Sequence, residues 1–95
     1  VPENVWAQMS LFLHRANHGL NIGNFEFDLS QGEIRFKTSL QCKVDQFSHQ
    51  IFQSLVHHNV LVVDEYLPGI LSIISDSMSA EAAIMMIESP AVGDA

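Results

Sequence analysis

Cysteine is almost missing from this 95-residue chain: Cys42 stands alone. A single thiol closes no internal disulfide, so nothing in the sequence asks for an oxidising compartment. Basic residues are scarce too, four Lys and Arg against eleven Asp and Glu, for a formal net charge of −7. Polyanion binding needs clustered cations, and a field of this sign repels nucleic acids and anionic lipid surfaces alike. Long apolar runs are also lacking. The densest, Val60–Val63, is far too short to cross a bilayer. No signal peptide is legible, and the chain opens at Val1 without a methionine, as it would if an upstream part had been removed. The expectation is a reduced, soluble, cytoplasmic protein that engages neither nucleic acid nor membrane.

What is present points to a folded domain. Hydrophobic residues make up 47% of the chain, too many for a disordered segment, whereas charged residues are only 16%. An ordinary soluble domain carries about a quarter charged residues. Some surface of this chain is therefore expected to be covered by something else. The length allows one domain with one modest core.

Apolar residues recur at helical spacing in Val5, Trp6, Met9, Phe12, Leu13 and Ala16, which predicts a first helix over about residues 3–18 that stops at Gly19. Its opposite face carries Leu11, His14, Arg15 and His18. Strict alternation follows: Phe25, Phe27 and Leu29 between Glu26 and Asp28, then Ile34, Phe36 and Thr38 between Arg35 and Lys37. Two strands in a hairpin are expected, each with one apolar and one charged face. Opposite charges favour pairing Asp28 with Arg35 and Glu26 with Lys37, which stacks Leu29 on Ile34 and Phe27 on Phe36. Ser30-Gln31-Gly32-Glu33 is then the loop. A slip that set Asp28 against Glu33 would oppose like charges.

A long helix is expected from Asp45 or Gln46. Phe47, Ile51, Phe52, Leu55, Val56, Val62, Val63 and Tyr66 cover about half its circumference at ~100° per residue, a breadth that suggests contacts on two sides. Pro68-Gly69 predicts a kink or a break. Beyond it Ile70, Leu71, Ile73 and Ile74 are apolar almost all round. Ser79 suits the N-cap of a last helix from Ala80 to about Glu88, with Ala80, Ala83, Ile84 and Ile87 buried and Met85 facing out. Ser89-Pro90 ends it, and residues 90–95 read as a disordered tail. The order helix, hairpin, broken helix, helix is an α+β fold. A two-stranded sheet is marginal alone and its edges invite pairing, so upstream strands or a second copy are expected to complete it.

The runs Gly23-Asn24-Phe25-Glu26-Phe27-Asp28, Gly32-Glu33-Ile34-Arg35-Phe36-Lys37-Thr38-Ser39 and Asp64-Glu65-Tyr66-Leu67-Pro68-Gly69 resemble the YbjN-like domain family, cyanobacterial members most. The opening Val1-Pro2-Glu3-Asn4 and the helix from Ser79 to Glu88 are similar as well. The resemblance spans residues 1–89 and corresponds to the later part of the family domain. It implies a fold like that of type III secretion chaperones, with helices on a curved antiparallel sheet. It also implies a role like that of bacterial sensory transduction regulators. It brings no catalytic motif.

The residues themselves offer little chemistry. His14 and His18, four apart on one helix face, have the spacing of a zinc pair, with Cys42 or His49 as conceivable third ligands. Solvated histidines are the plainer reading, and no metal or other cofactor is expected. His57 and His58 are adjacent and diverge by about 100°, so they cannot share one ligand. His58 and Asn59, on the apolar face, are better explained as partners for backbone groups of the hairpin or the helix ends. Cys42 has only Lys43 beside it and lacks the positive surroundings that activate a thiolate. Ser39, Ser48, Ser72 and Ser75 have neither an elbow motif nor an assigned base. Asn21 to Asn24 form a turn, not a phosphate loop, because strand residues follow.

Ile70, Leu71, Ile73, Ile74 and Met85 are the candidate partner surface, with burial inside the fold as the competing reading. The sequence thus favours a non-enzymatic protein-interaction domain, chaperone-like or regulatory, acting as a homodimer through a sheet edge or an apolar helix face. A metal or pH sensor built on the histidines is the alternative.

Overall fold

The computed structural model describes residues 1–39, 43–46 and 48–88. A short 3-10 turn at Glu3–Val5 leads into α1 (Trp6–His18), followed by β1 (Asn24–Asp28) and β2 (Glu33–Lys37). A second 3-10 turn (Val44–Gln46) precedes α2 (His49–Ile74), and α3 (Ala80–Glu88) follows. Among the described residues, three helices and one antiparallel hairpin make an α+β fold.

Helix α1 buries Met9, Phe12, Leu13 and Ala16, the stripe expected from its spacing, and leaves Leu11, His14, Arg15 and His18 in solvent. Against it lie α3, through Ala80, Ala83 and Ile84, and the second half of α2, through Val62, Tyr66, Ile70 and Ile73. Phe25 closes the core from the hairpin side. Its ring meets Tyr66 edge-on at 5.6 Å, and Tyr66 meets Phe12 at 6.1 Å. Such pairs add about 0.5–1.5 kcal/mol each beyond the area they bury.

Helix α3 begins where Ser79 predicts. The Ser79 hydroxyl accepts from Ala82 N–H at 3.2 Å, and Gln8 of α1 accepts from Ala80 N–H at 2.7 Å. Two of the free N–H groups at this helix start are thereby satisfied, one of them across 72 residues of sequence.

The hairpin keeps its expected faces and changes its register. Phe25 stands opposite Phe36, Glu26 opposite Arg35, Phe27 opposite Ile34 and Asp28 opposite Glu33. The loop is therefore residues 29–32, and Leu29 is 58% exposed in it. The shift from the charge-paired register is two residues, which leaves each side chain on its own face. Two features outweigh charge here. Gly32 adopts a positive φ of 68° and donates its N–H to the Asp28 carbonyl at 2.7 Å, a turn that closes only in this register. Phe25 and Phe36 meet at 4.7 Å over the core, whereas the charges lie in solvent, where pairing contributes little. The like charges find other partners. Asp28 accepts from Ser30 N–H at 2.9 Å and from its hydroxyl at 2.6 Å, and Glu33 accepts from Arg35 at 3.2 Å. The expected Glu26–Lys37 ion pair does form, diagonally, at 3.4 Å.

Helix α2 differs from expectation at its start, and at its middle the break that Pro68 allowed does not occur. The helix begins at His49, not at residue 45 or 46, because Ser48 is its N-cap and accepts from Ile51 N–H at 3.2 Å. It then runs unbroken through Pro68 to Ile74. Proline costs one intrahelical hydrogen bond. Pro68 lies on the solvent side of the helix, where water can serve the freed carbonyl. Gly69 is needed for closeness rather than for a hinge: a Cβ there would sit 2.5 Å from Cζ of Phe12. The Phe47 part of the expected helix face, Cys42 and the expected tail at residues 90–95 fall outside the described residues.

Candidate functional site

Two asparagines hold the hairpin between α1 and α2. Asn17 Nδ2 donates to the Phe25 carbonyl at 2.9 Å, and Asn17 Oδ1 accepts from Phe25 N–H at 2.6 Å. One amide thus occupies both outward backbone groups of Phe25, as a neighbouring strand would. On the far edge Asn59 Nδ2 donates to the Phe36 carbonyl at 3.1 Å. Phe25 and Phe36 are cross-strand partners, so both edges of the sheet are capped at the same level. The expectation of two open edges is corrected at this level, and strand addition there would have to displace an asparagine.

The first half of α2 lies beside the hairpin and is tied by polar groups to β2 and to the segments that flank the hairpin. Asn59 supplies one tie. Thr38 Oγ1 donates to the Leu55 carbonyl at 3.5 Å, and His58 Nε2–H donates to the Ile22 carbonyl at 3.1 Å. The reading of His58 and Asn59 as partners for backbone groups is the one the structure shows. Apolar packing in this half is thin by contrast. Between His49 and Leu61 no residue is fully buried, and Ile51 and Leu55 are half-buried.

An apolar stripe on α2 is left uncovered as a result. Phe52 (52% exposed), Val56, Val60, Leu67 and Leu71 stand in solvent, with Val63 half-buried among them. At ~100° per residue these six fall within about 100° of the helix circumference, beside the core-facing stripe rather than opposite it. Residues 52 to 71 span about 28 Å at 1.5 Å per residue. Open hollows flank the stripe, one of about 350 Å³ between it and Thr38, another of about 490 Å³ lined by α2 residues from His49 to Val60. A third, of about 690 Å³, lies between α2 and Ile22 with His58 on its wall. Among the described residues, the polar lining of these hollows is Ser, Thr, Gln, Asn and His, without a carboxylate to work as acid or base.

The candidate partner residues separate. Ile70 and Ile73 are core, 7% and 1% exposed, because α1 and α3 close over them. They are not free as a surface. Ile74 is half-buried, and Leu71 and Met85 are exposed. Met85 lies on α3 with Met86, away from the core face of that helix.

His14 and His18 are both exposed on α1. Among the described residues no three His, Cys, Asp or Glu side chains gather around a common point. The conceivable ligand Cys42 lies outside them. Tyr66 is the best-placed polar group near the core. Its hydroxyl donates to Glu88 Oε2 at 2.6 Å. Burial first, then the hydrogen bond to Glu88 and the charges of Glu88 and Glu65, push that hydroxyl well above the usual tyrosine range. It is held as a proton donor that joins α2 to the end of α3, not as a nucleophile.

The stripe was only half visible in the sequence. Phe52, Val56 and Val63 belong to the wide face that predicts two-sided contacts, but Val60, Leu67 and their common line with Leu71 were not singled out. The signal was available in the spacing. Asn17 gave none, since an exposed-looking helix asparagine announces no strand partner.

Comparison with protein-family models, with curated proteins and with solved structures returned no match.

Proposed function

We propose that this chain is a non-enzymatic protein-interaction domain that acts as a homodimer, with the uncovered stripe of α2 as its interface. One observation carries the reading: six apolar side chains form a line about 28 Å long on a helix already braced by the hairpin. A line this long on a single stable helix fits another helix, as in helix-to-groove or helix-to-helix recognition. The sheet edges fit a partner less well, because Asn17 and Asn59 occupy them. The scarcity of charge, 16% of residues, agrees with surface that is covered in the working state.

The role is chaperone-like or regulatory, in keeping with the resemblance to YbjN-like domains, and the setting is the cytoplasm. The lone cysteine and the acidic balance fit that setting and fit the lack of nucleic-acid or membrane partners. Hollows without an acid–base pair support a binding role over catalysis.

Light scattering over a dilution series tests this. The expected mass at high concentration is twice 10.6 kDa, falling toward 10.6 kDa on dilution. Val60→Glu is expected to give 10.6 kDa throughout with unchanged circular dichroism. A wild-type mass of 10.6 kDa at every concentration up to the millimolar range overturns the proposal.

A further inference from the structure

The uncovered stripe has a symmetry of its own. From Phe52 through Val56, Val60, Val63 and Leu67 to Leu71 the intervals are four, four, three, four and four residues. Read backwards, the pattern is the same, with its centre between Leu61 and Val62. A pattern unchanged by reversal meets itself under a two-fold axis perpendicular to the helix, the isologous contact of a cyclic dimer. Phe52 then lies over the partner's Leu71, Val56 over the partner's Leu67, and Val60 over the partner's Val63. Steps of four outnumber steps of three, so the stripe drifts round the helix and the two copies cross at an angle with their closest contact near the common centre.

Symmetry alone admits a parallel pair as well, and the flanks decide between the two. His57 and Asp64 are both exposed and lie seven residues apart, on the same edge of the stripe. In an antiparallel pair like edges meet, and each residue of one helix finds the complementary height on the other. His57 comes within about two residues' rise, roughly 3 Å, of the partner's Asp64, and Asp64 likewise reaches the partner's His57. In a parallel pair that edge meets the opposite one, and Asp64 faces the partner's Asn59, which already serves the hairpin and carries no charge.

We infer that two copies of this chain associate through α2 in antiparallel orientation, with His57 and Asp64 forming two equivalent pairs that tighten the dimer as the pH falls. This rests on the reading of the stripe as the dimer interface. In its own chain His57 has Gln50, Gln53, Ser54 and Val60 around it, with His49 two turns back and His58 beside it turned to Ile22. Among the described residues, those lining the hollows at His57 belong to α2. The carboxylate it gains on association is the partner's Asp64. The partner's Glu65 falls about 100° further round, away from the contact. A histidine that acquires a carboxylate neighbour holds its proton more firmly in the complex, so association is stronger below the range where imidazoles titrate and weaker above it.

Crosslinking and a pH series test the inference. In a Cys42→Ser background, chains carrying Val60→Cys and chains carrying Val63→Cys are oxidised separately and mixed. The expected result is a heterodisulfide from the mixture and little product from either alone. Efficient disulfide formation by each variant alone means a parallel pair and overturns the orientation while sparing the interface. Sedimentation equilibrium is expected to show the dimer about three- to tenfold tighter at pH 6 than at pH 8, the size expected of two exposed pairs. Asp64→Asn is expected to remove that difference and keep the dimer. A pH difference that survives in Asp64→Asn overturns the pairing. A monomer at all concentrations overturns the inference together with the function it rests on.

Discussion

The two halves of α2 are both rich in apolar residues and opposite in circumstance. From Val62 to Ile74 the helix is clamped between α1 and α3, with Val62, Tyr66, Gly69, Ile70 and Ile73 buried. From His49 to Leu61 it leans on the hairpin and its flanking segments through Thr38, His58 and Asn59 and leaves Phe52, Val56 and Val60 bare. Apolar packing holds the second half, and it is short-ranged, dense and intolerant of volume change. Directional polar ties hold the first, each contributing about 0.5–1.5 kcal/mol and each dependent on one partner. A single continuous helix therefore joins a densely packed region to one held by a few polar ties.

The strongest way to break the comparison is to empty the clamped half. Phe12→Ala removes the ring that Tyr66 and Gly69 share and is expected to cost about 3–5 kcal/mol, a large part of the stability of so small a domain. Chemical denaturation monitored by circular dichroism measures it. If the midpoint hardly moves, the core is not where the structure puts it. Gly69→Ala reverses the usual rule for helices. Alanine gains up to about 1 kcal/mol in helix propensity. Its methyl, however, would stand 2.5 Å from the Phe12 ring. A net loss of about 1–2 kcal/mol is expected from the overpacking. A stabilised Gly69→Ala would show that α1 and α2 are further apart than described.

The two asparagine caps sharpen the contrast further. Asn17→Ala strands both outward backbone groups of Phe25 beside the core and is expected to cost about 1–3 kcal/mol. Asn59→Ala removes the bond to the Phe36 carbonyl and a long one to Thr38 Oγ1, at 3.5 Å, on the looser side and is expected to cost less, about 0.5–1.5 kcal/mol. Hydrogen exchange gives a second readout. The Asn59 substitution is expected to speed exchange in residues 49–61 and leave 62–74 protected. Equal effects on both halves would mean that α2 opens as one unit.

The smallest effect belongs to the hairpin tip. Hydrogen bonds from the Ser30 hydroxyl and N–H, aided by the charge of Arg35, hold the Asp28 carboxyl below the usual aspartate range. A carboxyl with a depressed folded-state pKa contributes stability above its unfolded value and loses it as the pH falls through the folded one. Ser30→Ala is expected to move the Asp28 titration upward in a carbon-detected NMR series while leaving the register intact. An unchanged titration would mean that Ser30 does not hold the carboxylate in solution.

Much of the architecture was legible because it depends on neighbours within a few residues. The buried faces of α1 and α3, the Ser79 cap, the outward Met85 and the alternation of both strands all follow from local period and capping chemistry. The register was not legible in this way. Exposed charges suggested Asp28 opposite Arg35, but the buried Phe25–Phe36 contact and the Gly32 turn placed Asp28 opposite Glu33. Proline left two outcomes open, a kink or a break, and the break is excluded because Pro68 faces solvent and α2 passes through it. Ile70 and Ile73 were offered as surface because their helix is apolar nearly all round. Only the positions of α1 and α3 show which side is covered.

The sequence by itself determined most of what is helical, which residues alternate and where α3 starts. Periods of 3.6 and 2 and the capping preferences act over a turn or less and need no knowledge of the rest of the molecule. The tertiary structure alone decided which half of α2 is buried, which apolar stripe remains bare and which side chains close the edges of the sheet. These depend on groups brought together from distant parts of the chain, as Asn59 is with Phe36 and Gln8 with Ala80. Their geometry is settled by close packing and by the need to satisfy each buried backbone group, neither of which any local stretch of sequence records.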